Sequence, residues 1–187
     1  ALALRAFQHF DLLRCFGVSY AVNPDMLAIP YCTDLTYRVF PQLTVKQVAE
    51  KIETDLLEAE KLLAVDPILT GEEISELDDN GYLMNRQVHL NYYAVKGLQA
   101  RLYMWMQRYT DAEACAKVVI DSEVFTWATN VNMSKETDMA FATEQLFALN
   151  NISLSTLSET YFDPEGSLQV FGVEKQKIES EYYADGC

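Results

Sequence analysis

The sequence lacks the patterns that mark the common catalytic and metal sites. It contains no G-x-S-x-G elbow, no phosphate-binding loop, no G-x-G-x-x-G turn and no H-E-x-x-H helix. Histidine occurs only at His9 and His89, and the four cysteines contain no C-x-x-C pair, so a structural zinc site has no support. Carboxylates are plentiful, but abundance alone does not place two of them at the separation that a glycosidase needs. The sequence therefore predicts no metal, no cofactor and no enzymatic activity.

Long apolar runs and a targeting segment are also missing. No stretch of eighteen or more apolar residues occurs, and no basic region precedes a short apolar one at the start. These residues therefore predict neither a transmembrane helix nor a signal peptide. The chain opens inside a helical pattern and stops at Cys187 without a final element. We therefore expect a piece of a longer polypeptide, whose location these residues leave open.

Basic residues are scarce. The sequence has 14 Lys and Arg against 28 Asp and Glu, which gives a formal net charge of −14. Such a charge repels a phosphate backbone and an anionic membrane surface, so nucleic acid is not expected as a partner, whereas neutral or cationic ligands remain open. With 187 residues, 50% of them hydrophobic and 12% aromatic, the chain has enough apolar surface for one folded domain.

The stretch from Asn85 to Asp121 organises the chain. Its first half predicts one long helix, because apolar side chains recur at steps of three and four residues. Thr110 and Glu113 then form a capping-box pattern that predicts the start of a second helix. Only about four residues separate the two, so the helices should fold back as an antiparallel hairpin. The stripe of the first helix consists of Val88, Asn91, Val95, Leu98, Leu102 and Trp105.

The small and large residues of this hairpin follow the pattern of a tetratricopeptide unit. Ala100 and Ala112 are small residues at which two helices can approach closely, Tyr103 fills the gap one turn later, and Tyr109 lies at the turn. The match is partial, and an ordinary α-hairpin with alanines at a tight crossing is the alternative. Both interpretations predict a mostly α-helical fold.

Two further helices are predicted on either side of a long connection. Ala1–Phe16 carries apolar residues at helical steps and is followed by Gly17, a typical C-cap residue. Thr44–Ala64 begins with a capping box formed by Thr44 and Gln47, and Pro67 should end it.

Residues 18–43 form the long connection, which contains three prolines and is rich in tyrosine. Proline restricts the preceding residue and removes a donor, so we expect an ordered, extended segment rather than a helix. Loops of this length are uncommon inside domains and are often functional. The alternative is that the tyrosines only pack the loop onto the helices.

The other segments give weaker patterns. Residues 66–84 predict an acidic polar linker with an Asn-Gly turn and without the ligand spacing of a calcium loop. Residues 144–152 are compatible with a short strand or an extended segment, and residues 173–181 with a short helix. Cys15 and Cys115 lie within apolar helical patterns, which predicts small core residues rather than redox groups.

Four segments taken together resemble the SusD/RagB family, the surface-exposed nutrient-binding lipoproteins of Bacteroidetes. The resemblance covers roughly residues 1–150 and depends on the order and spacing of the segments, because each alone is only an amphipathic pattern. The segments are ALALRAFQHFDLLRCFG (1–17) followed by AIPY (28–31), TVKQVAEKIETDLLEAEKLL (44–63), AVKGLQARLYMWMQRYTDAEACAKVVI (94–120) and EQLFAL (144–149).

The resemblance implies a scaffold of tetratricopeptide-like antiparallel helix pairs, an α-α superhelix with long irregular loops. Ala1–Gly17 would pair with Thr44–Ala64 across the tyrosine-rich connection, and the central hairpin would stack beside them. Residues 1–187 would form one such region, with an irregular part starting in residues 150–187.

The resemblance also implies a function. The whole protein would be a non-enzymatic lipoprotein on the surface of the outer membrane, capturing a glycan or another oligomeric nutrient for a SusC-like TonB-dependent transporter. Its only membrane attachment would be a lipid anchor on a cysteine. Compared with the family, this chain would lack that cysteine, the start of the scaffold and most of the C-terminal region. The alternative function is that of a helical-repeat adaptor whose groove binds a protein or peptide.

The matched segments are scaffold and transfer no binding residues. A neutral sugar is usually held by an aromatic face and a few polar side chains, which favours exposed tyrosine and tryptophan. Tyr20, Tyr37 and Trp127 are the candidate ligand-binding residues because they lie outside the helix stripes, and ordinary packing is the alternative for each. Trp105 continues a core stripe and is left out.

Overall fold

Helices supply most of the described structure, as the sequence predicts. A computed structural model of the chain describes residues 1–72, 74–75, 81–130, 141–149, 151 and 153–162. Within this part of the chain, no helix is long and apolar enough to cross a membrane. Two compact units are present, Ala1–Ala148 and Leu149–Cys187. The first contains α1 (Leu2–Phe16), α2 (Val45–Leu62), α3 (Pro67–Thr70), α4 (Tyr92–Trp105) and α5 (Tyr109–Ile120), and the second contains α6 (Leu154–Phe162).

α1 and α2 pack on each other, which confirms the predicted pair. α1 contributes Phe10 and Leu13 to the core, and α2 contributes Val48, Ile52 and Leu56, each with at most 2% of its surface exposed. Burying a side chain of this size contributes roughly 1.5–3 kcal/mol. The central hairpin stacks beside this pair through contacts of α4 with α2 and α1, also as predicted.

Gly17 follows the end of α1, as predicted, but not for the expected reason. Its N–H donates to the Leu13 carbonyl oxygen at 2.8 Å, and its φ of −94° is not the left-handed conformation of a typical glycine cap. A Cβ at this position would lie 2.6 Å from that carbonyl oxygen. The close approach of the backbone, rather than a positive φ, therefore requires glycine here.

The capping box at the start of α2 is confirmed. The Thr44 hydroxyl accepts from the Gln47 N–H at 3.2 Å, and the Gln47 side chain accepts from the Thr44 N–H at 3.0 Å. The predicted role of Pro67 is wrong, because α2 ends at Leu62 and a 3-10 turn follows it. Pro67 instead occupies the first turn of α3, where its missing N–H is not needed.

The central hairpin is confirmed, although both of its predicted helix starts are wrong. α4 begins at Tyr92 because Asn91 caps it, its side chain accepting from the Ala94 N–H at 2.9 Å. The preceding residues Arg86–Val88 form a 3-10 turn instead of the first turn of the helix. α5 begins at Tyr109, so the predicted Thr110–Glu113 capping box does not form.

Arg108, not Thr110, organises the start of α5. Its guanidinium donates to Asp111 and to Glu53 on α2, each at 2.7 Å, and lies over the Tyr103 ring at 4.5 Å. Glu113, the second residue of the predicted box, pairs with Lys117 one turn later. No side chain caps α5, and Arg108 instead ties its first turn to α2 through Glu53.

The two cysteines predicted as core residues have different environments. Cys115 on α5 is buried and its thiol donates to the Gln99 side chain at 3.6 Å. Cys15 is exposed, and for this residue the prediction is wrong. It lies in the last turn of α1, where the neighbouring Arg14 and Phe16 are also exposed.

The tyrosine-rich connection is not helical, as predicted, but it contains a two-stranded antiparallel sheet that the sequence pattern did not indicate. Strand β1 (Leu27–Pro30) pairs with β2 (Gln42–Thr44), with Leu27 opposite Thr44 and Pro30 opposite Gln42. The sheet holds the two ends of the connection together and leaves residues 31–41 as an irregular loop.

The weaker sequence patterns have mixed outcomes. The predicted linker at 66–84 contains α3, and its described part is otherwise irregular except for short turns. Residues 145–149 form no strand and follow a 3-10 turn at Ala142–Glu144. The second unit contains α6, which the sequence did not indicate, and the helix predicted at 173–181 lies outside the described residues.

Candidate functional site

Two surface recesses of the first unit are lined by tryptophan. The first, named the Trp127 pocket, encloses about 210 Å³. It forms where the chain leaves the end of α5 and where residues 141–146 run beside it. Its lining residues are Val119, Ile120, Phe125, Thr126, Trp127, Glu144 and Leu146.

Backbone hydrogen bonds hold the two segments of the Trp127 pocket side by side. The Thr126 N–H donates to the Thr143 carbonyl oxygen at 3.2 Å, and the Ala128 N–H donates to the Glu144 carboxylate. The Leu146 carbonyl oxygen accepts from the Asn91 side chain at 2.8 Å. Asn91 has no exposed surface and also caps α4, so the pocket is anchored to the helical scaffold.

The Trp127 pocket combines an exposed aromatic ring with a carboxylate. Trp127 keeps 81% of its surface exposed, and Ile120 keeps 63%. Phe125 is fixed from behind by an edge-to-face contact with Tyr93, with ring centroids 5.6 Å apart. Glu144 Oε2 receives no hydrogen bond from the described residues. The pocket can therefore hold a ring with an apolar face and accept hydrogen bonds from its hydroxyl groups.

The second recess, named the Trp105 cleft, lies at the other end of the central hairpin and is an open cleft with a volume of about 580 Å³. Trp105 is the last residue of α4 and contacts two rings edge to face, Phe10 at 5.9 Å and Tyr20 at 5.6 Å. These contacts fix the plane of the indole. The lining residues of the cleft are Asp11, Arg14, Cys15, Gly17, Ser19 and Trp105.

A buried ionic cluster fixes the long connection to the helices beneath it. The Asp55 carboxylate accepts from the Arg5 guanidinium at 2.6 and 2.7 Å and from the Tyr31 hydroxyl at 2.6 Å. Burial raises the pKa of Asp55, but the hydrogen bonds from Arg5 and Tyr31 outweigh burial and hold that pKa below its usual value of 3.8. Burial and the bond to Asp55 raise the pKa of Tyr31 above its usual range.

His9 adds a second attachment for the same connection. Its Nδ1 donates to the Arg5 carbonyl oxygen at 2.8 Å, and its Nε2 accepts from the Cys32 N–H at 3.1 Å. These two bonds require the neutral ring with its proton on Nδ1. The ring also stacks on Tyr31, with centroids 4.1 Å apart.

A second buried ion pair joins α3 to the start of α4. The Arg86 guanidinium donates to both Asp66 oxygens at 2.9 Å, and the Asp66 side chain has no exposed surface. Asp66 also accepts from the N–H groups of Ile68 and Tyr92, each at 3.2 Å. The pair is therefore structural.

No three His, Cys, Asp or Glu side chains in the described ranges are arranged to hold a metal ion.

Comparison with known proteins gives structural matches only. No protein-family model and no curated protein sequence matches the chain. A SusD superfamily protein from Bacteroides thetaiotaomicron superimposes with a TM-score of 0.61 at 22% identity, over 83% of this chain and 31% of that one. This chain has a SusD-like fold. The resemblance expected from the four sequence segments is thus confirmed for the fold.

Two further structures support the SusD-like fold. A SusD superfamily protein from Bacteroides fragilis matches with a TM-score of 0.57 at 23% identity, over 82% of this chain and 32% of that one. A SusD-like carbohydrate binding protein from Bacteroides vulgatus matches with a TM-score of 0.53 at 20% identity, over 70% of this chain and 25% of that one. The chain therefore spans about a third or less of the length of these proteins.

The SusD-like scaffold does not bring the three predicted site residues together. Tyr20 is partly buried beside the Trp105 cleft, and Trp127 lines the pocket named after it. These two positions lie at opposite ends of α4, whose 14 residues span about 21 Å. Tyr37 is fully exposed on the irregular loop. The structure thus offers two separate recesses rather than one site.

Sequence reasoning missed several residues that line these recesses. Trp105 was assigned to the core because it continues the α4 stripe, yet as the last residue of the helix it also lines a cleft. Asp11, Arg14 and Glu144 are not among the candidates that the sequence predicts, although Glu144 begins the matched segment EQLFAL. The spacing of Asp11 and Arg14, one turn apart, was the only local signal available.

Proposed function

We propose that this SusD-like chain belongs to a non-enzymatic carbohydrate-binding protein and that the Trp127 pocket holds a neutral glycan. The observation that carries the proposal is the exposed Trp127 ring beside Glu144, whose Oε2 receives no hydrogen bond from the part of the chain that the structure describes. The SusD-like carbohydrate binding protein from Bacteroides vulgatus, which shares the fold, supports the ligand class.

The ligand of the Trp127 pocket is neutral because of the charges around it. Among the lining residues that the structure describes, Glu144 alone is charged, and the chain as a whole carries a formal charge of −14. An acidic polysaccharide would be repelled both by the Glu144 carboxylate and by the net negative charge of the chain. A neutral sugar ring can stack its C–H face on the indole while its hydroxyl groups donate to the carboxylate.

The experiment is a binding measurement on a panel of neutral and acidic polysaccharides. Trp127→Ala should weaken binding of the neutral ligand at least tenfold, which corresponds to about 1.4 kcal/mol. Tyr109→Ala is the matched control, because Tyr109 is an aromatic residue with 57% of its surface exposed and lines neither recess. Equal affinity of both variants and the unmodified chain would contradict the assignment of the pocket.

The proposal extends to the location and partner of the whole protein. By the resemblance stated above, the protein is a lipid-anchored component of the outer-membrane surface and delivers its glycan to a TonB-dependent transporter. Protease treatment of intact cells should then degrade the protein, and gentle detergent extraction should co-purify it with such a transporter. A protein protected in intact cells would contradict the surface location.

One observation favours the alternative function of a protein-binding adaptor. Leu35, Tyr37 and Val39 are large apolar residues on one loop and each keeps more than 90% of its surface exposed. Exposed apolar patches mark interaction sites. The adaptor function predicts binding to apolar peptides that is lost in the Leu35→Ser, Val39→Ser double variant, together with no binding to any glycan.

A further inference from the structure

The Trp105 cleft has the size and the side chains of a second ligand site. Its volume of about 580 Å³ falls within the usual range for small-molecule pockets, roughly 300–1,000 Å³. It lies within the first unit and uses residues from α1, from the turn after α1 and from the end of α4. None of these residues belongs to the Trp127 pocket.

Asp11 and Arg14 in this cleft keep most of their hydrogen-bonding capacity. They lie one turn apart on α1 and form one weak contact, in which Arg14 Nη1 is 3.5 Å from Asp11 Oδ1. Their side chains are 44% and 47% exposed. A guanidinium offers five N–H donors and a carboxylate about four acceptor sites. Donors and acceptors therefore stand side by side, and their charges sum to zero.

Trp105 supplies a rigid face next to this pair. Its edge-to-face contacts with Phe10 and Tyr20 hold the ring in one orientation, so little conformational entropy would be lost on stacking a ligand. The indole N–H and the Ser19 hydroxyl have no hydrogen-bond partner among the described residues. Gly17, which also lines the cleft, has no side chain.

We propose that the Trp105 cleft binds a second neutral sugar ring through two adjacent hydroxyl groups. One hydroxyl donates to Asp11, its neighbour accepts from Arg14, and the C–H face of the ring lies on Trp105. A vicinal diol matches a neutral donor–acceptor pair, whereas a carboxylate ligand would be repelled by Asp11 as strongly as Arg14 attracts it. This inference rests on the proposed glycan-binding function and names a further site and the feature that it recognises.

The two tryptophans of the chain allow each recess to be observed separately. In Trp127→Phe the remaining indole fluorescence comes from Trp105, and in Trp105→Phe it comes from Trp127. Each variant of the 187-residue chain is titrated with methyl glycosides of neutral hexoses, with a deoxy analogue that lacks one of two adjacent hydroxyls, with a uronate and with a free amino acid. Circular dichroism verifies the fold of every variant.

The expected result is a saturable change of Trp105 emission with a neutral hexoside. Asp11→Asn and Arg14→Gln, added separately to Trp127→Phe, should each weaken binding at least tenfold, and so should the deoxy analogue. Glu113→Gln is the control, because Glu113 forms an exposed helical ion pair outside both recesses. It should leave the affinity unchanged.

Three other results would overturn the inference. Emission of Trp105 that stays constant while Trp127 responds would refute the second site and leave the proposed function intact. Constant emission of both tryptophans, with no polysaccharide bound, would refute the proposed function as well. Tighter binding of the uronate or the amino acid than of the hexoside would refute the diol as the recognised group.

Discussion

The carboxylate of Asp55 on α2 accepts two parallel hydrogen bonds from the guanidinium of Arg5 on α1, from Nε at 2.6 Å and from Nη2 at 2.7 Å. The same carboxylate accepts from the Tyr31 hydroxyl. Two helices and the long connection therefore meet at one buried group. Since Tyr31 comes directly after strand β1, this carboxylate also fixes the sheet onto the helices.

Asp55→Asn should destabilise the chain by about 3 kcal/mol, because it leaves a partly buried guanidinium without its counter-charge. Urea unfolding followed by circular dichroism would measure the change. Glu58→Gln is the control, since the Glu58–Lys61 pair is exposed on both sides and contributes about 0.5 kcal/mol or less. Equal losses for the two variants would show that the cluster does not stabilise the fold.

Acid should unfold the chain partly through Asp55. Its pKa in the folded chain lies below the ordinary value of 3.8, so it contributes stability above the unfolded-state pKa and loses it as the pH falls through the folded-state pKa. Burial raises the pKa of Glu60, but hydrogen bonds from Lys96 and Gln99 outweigh it and lower the pKa overall, so Glu60 acts in the same direction.

Melting temperatures measured between pH 6 and pH 2 would test this dependence. Asp55→Asn should flatten the decline below about pH 4, where the unfolded carboxyl begins to take up its proton. The variant should have a lower melting temperature than the unmodified chain at pH 6. Because asparagine does not titrate, its melting temperature should fall less as the pH is lowered. A slope identical to that of the unmodified chain would contradict the assignment.

Arg86→Met should be more disruptive than an average substitution, because it leaves the fully buried Asp66 carboxylate unpaired. A loss of about 3–5 kcal/mol is expected in urea unfolding. The double variant Arg86→Met, Asp66→Asn should recover only part of this loss, since Asp66 also accepts from two backbone N–H groups. Full recovery would show that these backbone bonds contribute nothing.

Cys15 and Cys115 should react at very different rates with a thiol reagent. Cys15 is exposed, whereas burial of Cys115 raises its pKa and restricts access. Labelling the folded chain, followed by peptide mass spectrometry, should modify Cys15 within the time in which Cys115 stays unlabelled. Both should react in urea, and rapid labelling of Cys115 without denaturant would contradict its burial against α4.

Local sequence determined the parts of the fold that depend on neighbouring residues. The Thr44–Gln47 capping box involves groups three residues apart, so its two hydrogen bonds could be predicted without knowing the fold. The apolar stripes of α1 and α2 follow from helical periodicity alone. The order and spacing of these patterns also sufficed to indicate the SusD-like arrangement of helix pairs.

Tertiary contacts decided what local patterns could not. α5 starts at Tyr109 and not after a Thr110 cap, and Arg108 just before it binds Glu53 on a different helix, a contact that no local pattern indicates. Leu27 lies opposite Thr44 in the sheet. No hydrophobic periodicity in the sequence indicates that these two distant positions pair. Cys15 and Cys115 occur in similar patterns, yet only one lies where another helix covers it.

The candidate site also has one part that local sequence predicts and another that depends on tertiary contacts. The sequence named Tyr20, Tyr37 and Trp127 as candidates, because lying outside the helix stripes is a property of one residue and its near neighbours. Its partner Glu144 comes from a separate segment, and Trp105 meets Asp11 and Arg14 only after α1 and α4 have packed together. The sequence by itself predicted the two helix pairs of the first unit and proposed Tyr20, Tyr37 and Trp127 as candidates. Only the tertiary structure decided which polar groups lie beside each ring, because such groups are joined through space and not along the chain.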